Sequence, residues 1–309
     1  MLRYAAAVAA FLLAGVPPIA AAPYDDAFAA YQKGDYKQAL TLMRPLAEKG
    51  DTNAQYNLGA MYANSLGVSQ DHKEAAKWYG LAAAKGNVFA TVDLGTLYQN
   101  GQGVPKDYKE AMRLFRIGAE KKSSTAEANI ATMYERGLGI AQDYKEAAKW
   151  YRLAGDHGNA QAQYNVGVMY ASGRGLPQDY KQAATWYRKA ADAGVDSAQL
   201  NLGALYYAGQ GVTKDSREAV KYFRLSAQQR NGHAQFNLAS IYATGDGVPQ
   251  DLARALVWFS AASSTLAGNE AKIALENYNE VASKMTQAQK LQAQALARDC
   301  RSGNYQKCD

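Results

Sequence analysis

Six polar side chains, five carboxamides and one carboxylate, recur at a spacing of 36 residues: Asn57, Asp93, Asn129, Asn165, Asn201 and Asn237. A carboxamide offers two donors and an acceptor, so a row of them can pair with the backbone of an extended peptide or bond one repeat to the next. The two roles are compatible. Each member stands one residue before an aliphatic position, and the residues three further on are small: Ala60, Thr96, Thr132, Val168, Ala204 and Ser240. Four residues before come Asn53, Phe89, Thr125, Gln161, Ser197 and His233. On a helix such positions share a face, which predicts a groove lined by the ladder, with a protein segment as its occupant.

A second row is basic. Arg44, Arg116, Arg152, Arg188 and Arg224 recur at the same period, with Lys73, Lys109, Lys145, Lys181 and Arg217 on the same stripe. The spacing predicts a ridge on the outer helices, with Glu74, Glu110, Glu146 and Glu218 beside it. Its simplest reading is a solvated helix face. A functional ridge would need an anionic partner, such as a protein loop, a glycan or a lipid head group.

Catalytic chemistry finds no comparable pattern. The Gly-rich loops follow no strand and contain no Gly-Lys-Ser or Gly-Lys-Thr, so neither a dinucleotide nor a nucleotide phosphate is expected. There is no Gly-x-Ser-x-Gly elbow and no His-Glu-x-x-His. His72, His157 and His233 are scattered outside any metal-ligand spacing. The expectation is a non-enzymatic chain without metal or cofactor.

The elements that hold these rows are read from the same period. Ala54, Ala90, Ala126, Ala162, Ala198 and Ala234 head one column, Tyr62, Tyr98, Tyr134, Tyr170, Tyr206 and Tyr242 a second, and Asp71, Asp107, Asp143, Asp179, Asp215 and Asp251 a third. A fixed period of this length marks a repeat array, whose units bury their apolar faces only by stacking. Within each unit Ala54, Leu58, Met61 and Tyr62 fall at helical spacing, which predicts a helix to about Ala63. Gly59, replaced only by Gly or Ala in later copies, predicts a close approach of another helix. Loops such as Gly101-Gln102-Gly103 end that helix with left-handed turns. The Asp column then caps a second helix reaching about Lys85 and burying Ala75, Trp78, Tyr79 and Ala82. Glu or Gln three residues after the cap, as in Asp143/Glu146 and Asp179/Gln182, predicts a capping box, which fails only at Asp251, followed by Arg254.

These columns resemble the Sel-1-like repeats, relatives of the tetratricopeptide repeat, whose units read Ala-x-x-x-Leu-Gly-x-x-Tyr, then Gly-x-Gly-Val-x-x-Asp, then Ala-x-x-Trp-Tyr-x-x-Ala-Ala. The resemblance covers residues 51–266 as six repeats, with a half-unit upstream. Leu114, Lys122 and Ser65 depart from the pattern at a Trp, a terminal Gly and a loop Gly. The resemblance implies an all-α fold, an αα solenoid or superhelix, acting as an adaptor for other proteins. Exported members are linked to envelope signalling, assembly or host contact, some by holding the external domain of a membrane sensor. A β-lactamase-like or cell-wall hydrolase is the remote alternative, since members so described carry a disulfide in each repeat and this chain does not.

The ends differ from the array. Arg3 precedes an apolar run from Tyr4 to Val16, and Ala20-Ala21-Ala22 offers a cleavage site, so residues 1–22 are expected to be a secretory signal. Its loss removes only Arg3, taking the formal charge from +6 to +5. That mild balance and export both argue against nucleic acid, and no transmembrane segment is expected in the mature chain. Residues 23–50 are expected to form an N-terminal half-repeat cap and residues 267–309 a helical C-terminal cap. There, Glu270 to Val281 reads as a degenerate helix burying Ala271, Leu275 and Tyr278, and Thr286 with Gln289 as the cap of a last helix. Cys300 and Cys308, the only cysteines, are expected to pair in an oxidising compartment. The partners are then envelope proteins, met in a periplasmic or secreted location.

Overall fold

The computed structural model describes residues 23–303, 305 and 308; the expected signal segment, 1–22, lies outside them. The chain divides into two compact units, Met1–Ala111 and Met112–Asp309. The first holds α1 (Pro23–Gln32), α2 (Tyr36–Glu48), α3 (Thr52–Ala63), α4 (His72–Ala84) and α5 (Val88–Asn100), and the boundary falls within α6 (Tyr108–Glu120). The second holds α7 (Ser124–Arg136), α8 (Tyr144–Asp156), α9 (Ala160–Ser172), α10 (Tyr180–Asp192), α11 (Asp196–Ala208), α12 (Ser216–Gln228), α13 (Gly232–Thr244), α14 (Leu252–Thr265), α15 (Gly268–Ser283) and α16 (Gln287–Ser302). Every regular element among the described residues is a helix, and the helices pair as first and second members of successive repeats, the arrangement of an all-α solenoid.

The helix boundaries lie where cap and glycine chemistry put them. Asp143 Oδ1 accepts from Lys145 N at 2.8 Å and Glu146 N at 3.0 Å, satisfying two amides the helix cannot. The same pair of bonds recurs at Asp71, Asp107, Asp179 and Asp215. The reciprocal half of the expected capping box is replaced: the Asp71, Asp107, Asp143, Asp179, Asp215 and Asp251 amides donate instead to the carbonyls of Tyr62, Tyr98, Tyr134, Tyr170, Tyr206 and Tyr242. That bond uses a carbonyl left over at the end of the preceding helix and closes each loop. The third-place glutamate is thereby released, and Glu74 accepts from Trp78 Nε1 at 3.1 Å. Asp251, expected to fall outside the pattern, still caps, accepting from Arg254 N at 2.9 Å and from its guanidinium at 2.6 Å. A complete box does form at α16, where Thr286 N donates to Gln289 Oε1 and Gln289 N to Thr286 Oγ1.

Packing explains the small column. A Cβ added at Gly167 would meet Tyr187 Cδ1 at 2.5 Å, and one at Gly59 would meet Tyr79 Cδ1 at 2.6 Å, so a ring of the second helix lies directly on the glycine. Trp186, Tyr79 and Tyr187 are buried as expected. The Tyr column is more mixed: Tyr62 and Tyr242 are buried, whereas Tyr98, Tyr134, Tyr170 and Tyr206 are half-buried. Lys122 and Ser65 keep the turn geometry of the glycines they replace, with φ of 58° and 59°, a region that costs a side chain about 1–2 kcal/mol.

In the C-terminal cap the face of α15 differs from expectation. Ala274 and Val281 are buried and Leu275 is half exposed. Counting the repeat onward explains it: Ala274 falls in the Leu58 column and Tyr278 in the Tyr62 column, so Leu275 points one position off the core. Val281, Met285, Ala293 and the Cys300–Cys308 disulfide close over Trp258 and Phe259 of the last full repeat.

Candidate functional site: the first-helix face

The ladder residues sit on the first helix of each pair, and their surroundings repeat. Asn201, Ala204 and Tyr187 line a cavity with Tyr164 and Val168; Asn237, Ser240 and Phe223 line the next, with Ala204 common to both. In the first unit Asp93, Thr96 and Tyr79 line a third of the same construction. Each site thus combines a ladder residue, the small residue one turn later, and the ring of the intervening second helix. The expected small column leaves room above the ladder.

What each ladder side chain does depends on its neighbours. Asn57 is buried and donates to Tyr24 Oη at 2.7 Å. Asn201 bonds the Tyr164 and Tyr187 hydroxyls, and Asp93 those of Tyr56 and Tyr79. Burial is the main influence on Asp93 and raises its carboxyl above the usual carboxylate range, against the lowering effect of the two hydroxyls. Burial likewise pushes Tyr187 up to about 12, and Tyr56 to about 12 with the Asp93 charge adding to it. Elsewhere the ring lacks a hydroxyl or sends it away. Phe115 and Phe223 precede Asn129 and Asn237, which have no hydrogen-bond partner among the described residues. Tyr151 donates to Glu135 at 2.8 Å instead, and Asn165 merely accepts from Gln161 at 3.3 Å. The ladder is divided: Asn57, Asp93 and Asn201 join neighbouring helices, whereas Asn129, Asn165 and Asn237 keep unused amide donors.

The outer stripe is partly occupied by internal bonds. Nη2 of Arg44, Arg188 and Arg224 donates to Tyr62, Tyr206 and Tyr242 hydroxyls at 2.6, 2.5 and 2.8 Å, and Arg116 reaches Tyr134 at 3.5 Å. Arg152 is exposed and makes no such bond to Tyr170. Lys77, Lys149 and Lys221 pair with Glu74, Glu146 and Glu218 three residues earlier. The guanidinium column therefore clamps α2, α6, α10 and α12 to the first helix that follows each, a role its spacing alone did not suggest.

A further column escaped the sequence reading. Gln55, Gln163, Gln199 and Gln235 donate Nε2 to the carbonyls of Ala47, Gly155, Ala191 and Ala227, at 2.8–3.2 Å. Its signal was present as Ala-Gln at the repeat period. In the third repeat Glu127 takes this place, 1% exposed, and His157 Nδ1 stands 2.9 Å from both carboxylate oxygens. Among the described residues, no group of three or more His, Cys, Asp or Glu side chains is placed to hold a metal ion, and no helix is long and apolar enough to cross a membrane.

Comparison with known proteins agrees with this architecture. The Sel1 repeat model matches residues 27–51, 52–87, 88–123, 124–159, 160–195, 196–231 and 232–264, seven units that include the segment read above as a half-repeat. Among solved structures, the chain is similar to a Sel1 repeat protein from Oxalobacter formigenes, with 34% identity and a TM-score of 0.72 over 79% of this chain and 100% of that one. It is also similar to c5321, a protective antigen of uropathogenic Escherichia coli with an SLR fold, at 29% identity and a TM-score of 0.59, covering 93% of this chain and 73% of the other. A comparison with curated proteins returns no match. With seven matched repeats over most of its length, the chain belongs to the Sel1 repeat family.

Proposed function

We propose that the chain captures an extended segment of another protein on its first-helix face, using the ladder carboxamides that its own packing leaves unbonded. Sel1 repeat proteins are generally protein-interaction scaffolds, and the observation that carries the finer reading is the unused donors of Asn129, Asn165 and Asn237 beside a face of small residues. These half-buried amides still reach solvent, and an extended backbone supplies carbonyls that can replace the water on their donors. The opposite stripe offers less directional chemistry, because four of its five arginines are bonded to tyrosine hydroxyls and the attraction of its exposed lysines is screened by salt. The bond between Cys300 and Cys308 supports an exported location, since disulfides persist in oxidising compartments. On this reading residues 1–22 direct export and the partner is an envelope protein.

Site-specific photocrosslinking tests the proposal. A photoreactive residue at Ala204, between the two cavities, should yield one dominant envelope adduct by mass spectrometry, and the same group at Arg152 should not. Adducts at Arg152 alone would move the site to the outer helices.

A further inference from the structure

Asp93 is the one carboxylate in a ladder otherwise made of carboxamides. It lies half-buried on α5 with the hydroxyls of Tyr56 and Tyr79 as its partners, and no basic side chain among the described residues pairs with it. One turn earlier, Phe89 is 69% exposed, the most exposed large apolar side chain among the described residues. Its ring lies 5.9 Å from that of Tyr56, which in turn lies 5.9 Å from Tyr79. The other repeats place Asn53, Thr125, Gln161, Ser197 or His233 where Phe89 stands, so the aromatic and the acid depart from the pattern in the same repeat and on the same face. The cavity lined by Asp93 also contains His72, whose Nδ1 is buried without a hydrogen-bond partner.

We propose that Asp93, with Tyr56 and Phe89, is a cation-selective position that receives a lysine or arginine side chain of the bound segment; this rests on the peptide-binding reading of the same face. Three features match such a side chain. Its methylene stem covers the exposed Phe89 and Tyr56 rings, as amphipathic stems do on apolar surface. Its charge meets a carboxylate that has only neutral partners, and aromatic faces add attraction for the cation. An ammonium carries three donors, one of which goes to Asp93.

The test pans a phage-displayed library of random dodecapeptides on the full protein and on two variants, Asp93→Asn and Phe89→Ala. Asn is the residue of the other ladder positions and Phe89 is exposed, so both variants should melt cooperatively. The wild type should select peptides enriched in Lys or Arg at one position. Asp93→Asn should still select peptides but lose that enrichment, and should bind a wild-type-selected peptide at least tenfold more weakly by fluorescence anisotropy. Phe89→Ala should weaken it several-fold. Selection without a basic position, or a basic preference that survives Asp93→Asn, would overturn this inference and leave the groove standing. No selection by the wild type would overturn both.

Discussion

The two faces of the repeat carry equally regular rows of polar residues, and the rows have different fates. On the second helices most of the arginine column is used by the fold, as where Arg188 clamps Tyr206, while Arg152 and the lysines stay exposed. On the first helices the carboxamide row is consumed only where a tyrosine hydroxyl reaches it, as at Asn201, and is left free where phenylalanine stands, as at Asn237. Periodicity alone therefore does not mark a binding surface. The residue opposite decides which amides are bonded: Tyr187 meets Asn201, Phe223 has no hydroxyl for Asn237, and Tyr151 turns its hydroxyl to Glu135 and away from Asn165.

Changes to the shared interior should be the most damaging, and they set the scale for the two faces. Trp186→Ala empties a buried ring site and should cost about 3–5 kcal/mol, measured by denaturant unfolding. Gly167→Ala drives a methyl into the Tyr187 ring and should cost about 1–3 kcal/mol; an unchanged midpoint would mean the helices separate more easily than the packing implies.

Within the Gln column the third repeat can be tested against its neighbours. His157→Ala leaves Glu127 buried without its partner and should cost about 2–3 kcal/mol. Glu127→Gln in that background restores the amide of the other repeats and should recover most of the loss in a double-mutant cycle. A simple sum of the two single effects would contradict the pairing.

Smaller effects separate caps from ordinary surface. Asp143→Ala, which removes the acceptor for two amides, should cost about 1 kcal/mol. Arg254→Ala loses a partly exposed pair with Asp251 but keeps the backbone cap, and should cost about half as much or less. Asp93 should behave oppositely. Its folded pKa is raised, so its contribution is most favourable below the ordinary carboxylate range and is lost as pH rises through the folded value. Asp93→Asn should therefore match or exceed the wild type in thermal midpoint at neutral pH, with the difference closing in acid. A variant less stable at neutral pH would mean that the bonds from Tyr56 and Tyr79 outweigh the cost of burying the charge.

The sequence exposed the periods, the caps and the cysteine pair because each depends on local spacing. It gave the right helices even at Lys122 and Ser65, where the turn is imposed by the flanking repeats in spite of the side chain. It misplaced the core face of α15, because an isolated Leu275 outweighed the running register. It could not divide the ladder, since the bond from Tyr187 to Asn201 joins consecutive repeats and the diversion of Tyr151 to Glu135 depends on packing. The Arg to Tyr clamps were hidden for the same reason, each linking residues 18 apart on different helices.

The central claim is that the unbonded amides of the first-helix face are the binding surface. The direct measurement is the affinity of a peptide selected by the wild type for two double variants, Asn165→Ala with Asn237→Ala and Arg152→Gln with Arg188→Gln, at low and high salt. The account predicts that the asparagine pair weakens binding at least tenfold at both salt concentrations while melting cooperatively, and that the arginine pair matters only at low salt, where charges act over longer distances. Normal binding by the asparagine pair, with loss in the arginine pair that persists in high salt, would contradict it and assign recognition to the outer helices.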